Sequence, residues 1–121
     1  MAISDAESVV MEALWRDHPR TADAVIEEVA AAHDWSAMTV RTLLNRLLKK
    51  EAVTATREGR KYIYTPILKR EDYVHEKSQG LIDHLFDGQL APLVSHFSER
   101  QSLSAEDVKA LKRLIEELPD E

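Results

Sequence analysis

Residues 36–65 read SAMTVRTLLNRLLKKEAVTATREGRKYIYT, and the spacing of apolar residues changes once along them. Val40, Leu43, Leu44 and Leu47 recur with the roughly 3.6-residue period of a helix that buries one stripe, and Leu48 widens that stripe sideways. Ser36 precedes the run as an N-cap, so a helix is expected from Ala37 to Lys50. The period then falls to about two. Val53-Thr54-Ala55-Thr56-Arg57 and Lys61-Tyr62-Ile63-Tyr64-Thr65 are rich in β-branched and aromatic residues, and Glu58-Gly59-Arg60 supplies a glycine for a short turn between them. A hairpin is expected there.

Upstream, Ser4-Asp5-Ala6-Glu7 reads as a capping box, in which a serine hydroxyl and a glutamate three residues on satisfy each other's backbone N–H. Val10, Met11, Leu14 and Trp15 follow at helical spacing, and His18-Pro19 ends that helix. Thr21 caps a second, short helix with Val25, Ile26 and Val29 on its inner face. Three helices and then a hairpin is the order of a winged helix-turn-helix. The expected fold is therefore mainly α, with residues 1–70 as a winged-helix domain closed by Pro66.

From Glu71 the helical pattern returns. Tyr73, Val74, Leu81, Ile82, Leu85 and Phe86 run to Gly88, which suits a C-terminal cap. Gly80 sits inside this run at a cost near 1 kcal/mol relative to Ala, which points to a bend or a close helix contact. Leu90, Leu93, Val94 and Phe97 mark a short segment with Pro92 in its first turn. Ser104-Ala105-Glu106-Asp107 caps a last helix whose apolar face is Val108, Leu111, Leu114, Ile115 and Leu118, stopped by Pro119. Residues 71–121 are too few to bury a good core alone, yet they carry three apolar stripes. Pairing with a second copy covers those stripes. This region is expected to be a helical dimerisation domain, with Leu81, Leu85, Phe86, Leu93, Val94, Phe97, Leu111, Leu114 and Ile115 at a homodimer interface. The alternative is a tail folded back on its own winged helix.

The chain has 121 residues, a formal charge of −6 and no cysteine. Disulfides, thiolate metal sites and a cysteine nucleophile are excluded. No apolar run approaches the roughly 18 residues of a membrane span, and no signal peptide is visible, so a cytoplasmic protein without membrane insertion is expected. The net charge argues against nucleic acid until it is divided. Residues 1–35 carry −6, residues 36–70 carry +7 and residues 71–121 carry −7. A basic middle flanked by acidic ends fits a local nucleic-acid footprint.

The buried stripe of the third helix decides which side chains face away from it: Met38, Thr39, Arg41, Thr42, Asn45 and Arg46. Arginine can pair with guanine, asparagine with adenine, and a threonine methyl can meet thymine. Lys49 and Lys50 suit phosphates, as does the helix start at Ser36. Arg57, Arg60 and Lys61 cluster at the hairpin tip beside Tyr62, where a wing could lie along the DNA backbone or minor groove. Tyr64, on the same face of its strand as Tyr62, is read as a core or rim aromatic. The alternative function is a winged-helix interaction module whose basic face meets an acidic protein partner. A small-molecule sensor is disfavoured, because the tail is thin for a pocket of about 300–1,000 Å³. The five histidines show no ligand spacing. No catalytic constellation stands out, so neither enzyme chemistry nor any cofactor or metal is expected.

Ile3-Ser4-Asp5-Ala6-Glu7, Asp34-Trp35-Ser36, Thr39-Val40-Arg41-Thr42-Leu43, Arg46-Leu47, Lys49-Lys50, Glu58-Gly59-Arg60-Lys61-Tyr62-Ile63-Tyr64 and Leu103-Ser104-Ala105-Glu106-Asp107-Val108 together resemble the penicillinase-repressor family. This family includes bacterial repressors of β-lactamase, methicillin-resistance and copper-transport operons. The resemblance covers nearly the whole chain. It implies a homodimeric repressor on a palindromic double-stranded DNA operator, typically with TACA/TGTA-type half-sites. Its DNA-contacting positions match at Thr39, Arg41, Thr42 and Arg46. Met38 stands where lysine is frequent, and Glu51 where glycine is frequent. The copper-responsive members use a cysteine-rich C-terminal motif, which this chain lacks. In the β-lactamase-type members a membrane receptor protease system triggers cleavage of the tail at an Asn-Phe bond. The aligned pair here is His96-Phe97, a candidate cleavage site that matches only at Phe97.

Overall fold

The computed structural model describes residues 2–119. Helix α1 (Asp5–Arg16) starts at Ser4, whose hydroxyl accepts from the Glu7 N–H at 3.1 Å while the Ser4 N–H donates to Glu7 Oε1 at 2.7 Å. That reciprocal pair is the capping box expected from the sequence. Strand β1 (Arg20–Thr21) leads into α2 (Ala22–His33), where Thr21 Oγ1 accepts from the Ala24 N–H at 3.2 Å. Helix α3 (Ala37–Lys49) is capped by Ser36, whose oxygen accepts from the Thr39 N–H at 3.1 Å.

Strands β2 (Val53–Glu58) and β3 (Lys61–Pro66) form the expected antiparallel hairpin. Glu58 pairs with Lys61, so Gly59 and Arg60 make a two-residue turn, with Gly59 at φ +65°. A side chain there would be strained, which is why the turn takes glycine. The two-residue strand β1 was not anticipated. It pairs with the other edge of β3, Arg20 opposite Tyr64 and Thr21 opposite Ile63, giving the order β1-β3-β2.

One core unites these elements: Val10, Met11, Ala13 and Leu14 of α1, Val25 and Val29 of α2, Val40, Leu43, Leu44 and Leu47 of α3, and Ala52 and Val53. Each large apolar side chain buried there contributes about 1.5–3 kcal/mol. Leu48 is a correction to the expected stripe. It is 38% exposed, because one step past Leu47 turns the side chain by roughly 100° away from the core. Helix α3 ends in a Schellman turn, with the Glu51 N–H on the Leu48 carbonyl (3.1 Å) and the Ala52 N–H on the Leu47 carbonyl (2.9 Å). Glu51 takes φ +61° there, a position that favours glycine.

The chain divides into two compact units, one running to Val74 and the other starting at His75. The boundary falls inside α4 (Arg70–Phe86), because the start of that helix belongs to the first unit. The Ile67 and Leu68 N–H groups both donate to the Ala52 carbonyl, the Trp15 indole N–H donates to the Leu68 carbonyl at 2.8 Å, and the Tyr73 ring lies 5.6 Å from Trp15.

The second unit holds the rest of α4, α5 (Leu90–Glu99) and α6 (Ala105–Glu117). After α4, Asp87 and Gly88 take positive φ and the Gly88 N–H donates to the Ile82 carbonyl. Ser104 and Asp107 form a capping box on α6. None of the residues of these three helices is buried. Phe86, Leu93, Val94 and Leu111 are half-buried, while Leu81, Leu85, Leu90, Phe97, Leu114, Ile115 and Leu118 are exposed. A Cβ on Gly80 would meet nothing within 4 Å, so that glycine serves no close contact among the described residues. Among the described residues no helix is long and apolar enough to cross a membrane.

Candidate nucleic-acid interface

Burying Val40, Leu43, Leu44 and Leu47 leaves Met38, Thr39, Arg41, Thr42, Asn45 and Arg46 of α3 exposed, as their spacing predicts. The turn into this helix is fixed by Asp34 at φ +55° and by the Trp35 N–H on the Ala30 carbonyl at 3.1 Å. Three hydroxyls are already engaged. Ser36 Oγ serves as the cap and lies 3.0 Å from Thr39 Oγ1, and the Thr42 hydroxyl donates to the Met38 carbonyl at 3.0 Å. With its hydroxyl tied to its own helix, Thr42 has its methyl free for a thymine contact.

The wing and α3 converge on one cleft of about 290 Å³, lined by Thr21, Asp23, Arg41, Arg60, Lys61 and Tyr62 together with Ala22 and Tyr64. Arg41 and Asn45 also border a smaller cleft of about 100 Å³. Arg60, Lys61 and Tyr62 are exposed, whereas Tyr64 packs against the core. Arg57 bends back, its Nε donating to the Gly59 carbonyl at 3.0 Å. Lys49 is exposed at the end of α3.

Lys50, a candidate phosphate contact, also makes an ion pair within the fold. Its ammonium lies 2.6 Å from Oε1 of Glu7, a carboxylate that is 1% exposed. The charge of Lys50 is therefore matched inside the fold, tying the end of α3 to the start of α1. Burial pushes the Glu7 carboxyl up, but the hydrogen bonds from the Lys50 ammonium and the Ser4 N–H outweigh it and hold its pKa below 4.5. Asp23 was also missed at first. Its Oδ1 lies 3.3 Å from Arg41 Nη2, which places a carboxylate at the edge of the exposed face of α3. Thr21-x-Asp23 at a helix start reads as ordinary capping chemistry, and nothing in the sequence links it to a residue eighteen positions on.

In the second unit His96 and Phe97 lie in the middle of α5, with the His96 ring 6.3 Å from Phe86 and edge-on to Phe97 at 5.3 Å. Among the described residues no group of three or more His, Asp or Glu side chains is placed to hold a metal ion.

This geometry agrees with the comparisons to known proteins. The family model for the penicillinase repressor matches residues 3–117. The penicillinase repressor of Bacillus licheniformis is 36% identical over 115 residues, covering 95% of this chain and 90% of that protein. The transcriptional regulator BlaI of Mycobacterium tuberculosis is 34% identical, with 96% and 84% covered. The solution structure of monomeric Bacillus licheniformis BlaI in complex with the blaP half-operator aligns with a TM-score of 0.54 at 40% identity, covering 60% of this chain and 89% of that one. With a capped helix presenting Thr39, Arg41, Thr42 and Arg46, a basic two-residue-turn wing and a match over nearly its full length, this chain belongs to the penicillinase-repressor family, a family of transcriptional repressors rather than enzymes.

Proposed function

We propose that the chain is a homodimeric, sequence-specific DNA-binding repressor that acts in the cytoplasm by occupying a palindromic operator. The observation that carries this reading is the exposed face of α3, which presents Thr39, Arg41, Thr42, Asn45 and Arg46, with Arg41 sharing a cleft with Arg60 and Lys61 of the wing. These side chains supply base-edge donors flanked by phosphate-binding charge. The complex of BlaI with its half-operator supports the same use of the fold. In this reading residues 1–70 bind DNA and residues 71–121 dimerise. The exposed Leu81, Leu85, Leu114 and Ile115 on helices without a buried residue support the dimer.

Release by a membrane receptor protease system would act through the His96-Phe97 bond, which separates α6 from α4. That bond lies within α5, so cleavage requires local unwinding, which α5 permits because it has no buried residue. Intact chain alone after induction, read by mass spectrometry, contradicts this release mode. The repressor itself is tested by selecting genomic fragments with the purified chain and footprinting them. Two protected half-sites about one helical turn apart are expected, as a two-fold dimer requires. Fragments with no shared sequence would overturn it.

A further inference from the structure

We propose that Asp23 determines specificity by discriminating against phosphate at the Arg41 guanidinium, an inference that rests on the repressor reading above. Arg41 is exposed on the outward face of α3, and its Nη2 donates to Asp23 Oδ1 at 3.3 Å. Asp23 is the one acidic side chain lining a cleft that also holds Arg41, Arg60 and Lys61. A guanidinium carries five N–H donors, and Asp23 engages one nitrogen, so a bidentate pair to a guanine edge remains open. A guanine edge is neutral and meets no repulsion from the carboxylate. A phosphate at the same guanidinium is an anion brought beside Asp23, and it must displace the carboxylate or lie against it. Asp23 therefore selects base contact over backbone contact at this position. Non-specific binding, which lives almost entirely on phosphates, bears the penalty.

The test is equilibrium binding of the full chain, wild type and Asp23→Asn, to an operator fragment selected from genomic DNA and to a scrambled fragment of equal length, across a salt series. Affinity for scrambled DNA should rise about two- to fivefold, the range of one exposed charge pair. Its salt slope should steepen by about 0.9, one added phosphate contact. Operator affinity should change less, so discrimination falls. In an Arg41→Ala background Asp23→Asn should change nothing. Glu27→Gln, the same charge change at another exposed position of α2, should leave the discrimination ratio as it was.

Equal gains on both fragments, or an effect that survives Arg41→Ala, would overturn the inference and reduce Asp23 to general charge. An unchanged Asp23→Asn variant beside a selective wild type overturns it as well. A wild type that does not distinguish the two fragments overturns the repressor reading itself, a different outcome from either.

Discussion

Removing one partner or the other of the Lys50–Glu7 pair should have unequal consequences. Lys50→Met takes away the ammonium 2.6 Å from Glu7 Oε1 and leaves a carboxylate, 1% exposed, on the Ser4 N–H, with Oε2 already lacking a partner. Stripping one member from a fully buried pair costs about 3–5 kcal/mol. The Lys50 side chain is 40% exposed and water replaces part of it, so about 2–3 kcal/mol is expected here. Glu7→Gln instead removes the buried charge, keeps an acceptor for the Ser4 N–H and returns Lys50 to water. Its cost is one charge-assisted hydrogen bond at the low end, about 1–1.5 kcal/mol. Urea unfolding followed by tryptophan fluorescence measures both, because Trp15 and Trp35 both lie in the first unit. A Glu7→Gln loss larger than the Lys50→Met loss, or two losses under about 0.5 kcal/mol, would refute the view that this pair clamps α3 to α1.

The same pair predicts an acid dependence. The folded pKa of Glu7 lies below 4.5, so its contribution is complete above that value and is lost as pH falls through the lower folded one. Glutamine does not titrate, so the stability gap between wild type and Glu7→Gln should narrow below pH 4.5 and stay constant above it. Glu51→Gly should stabilise the first unit by about 0.5–1 kcal/mol, the relief of a left-handed residue less the extra unfolded-state freedom of glycine, read by the same urea curves. Leu85→Asp or Leu114→Asp should give monomers in sedimentation velocity while leaving tryptophan-monitored unfolding of the first unit unchanged. Arg60→Ala and Lys61→Ala should each weaken binding to all DNA sequences alike and lower the salt slope by about 0.9, as phosphate contacts do.

What could be read from the chain beforehand was local in sequence. The caps at Ser4, Thr21, Ser36 and Ser104 stand within three residues of the N–H groups they satisfy, and all four form as expected. The stripe of α3 and the period-two hairpin were legible for the same reason, and they placed the outward face from Thr39 to Arg46. The unread parts depend on distant partners. Strand β1 is two residues with no period of its own, and it exists only because β3 offers an edge. The ion pair of Lys50 was not legible because its partner Glu7 is 43 positions away. Asp23 meets Arg41 only through the fold, eighteen positions away. Glu51 was half-legible: the resemblance marked it as a position suited to glycine, and the φ of +61° gives the physical reason.

The acidic net charge also takes on a physical meaning. The basic residues that give residues 36–70 their +7 lie largely on α3 and the wing, and one of them, Lys50, is neutralised within the fold. The acidic stretches on either side should reduce general attraction to DNA, which neutralising the tail acids and measuring affinity for scrambled DNA would check.

The most direct test of the central claim compares wild type with Arg46→Ala on the selected operator and on scrambled DNA over a range of salt. Wild type should show steep salt dependence, and Arg46→Ala should lose about 1–3 kcal/mol on the operator, with relaxed sequence preference. Salt-insensitive binding, or an Arg46→Ala variant as selective as wild type, would contradict it.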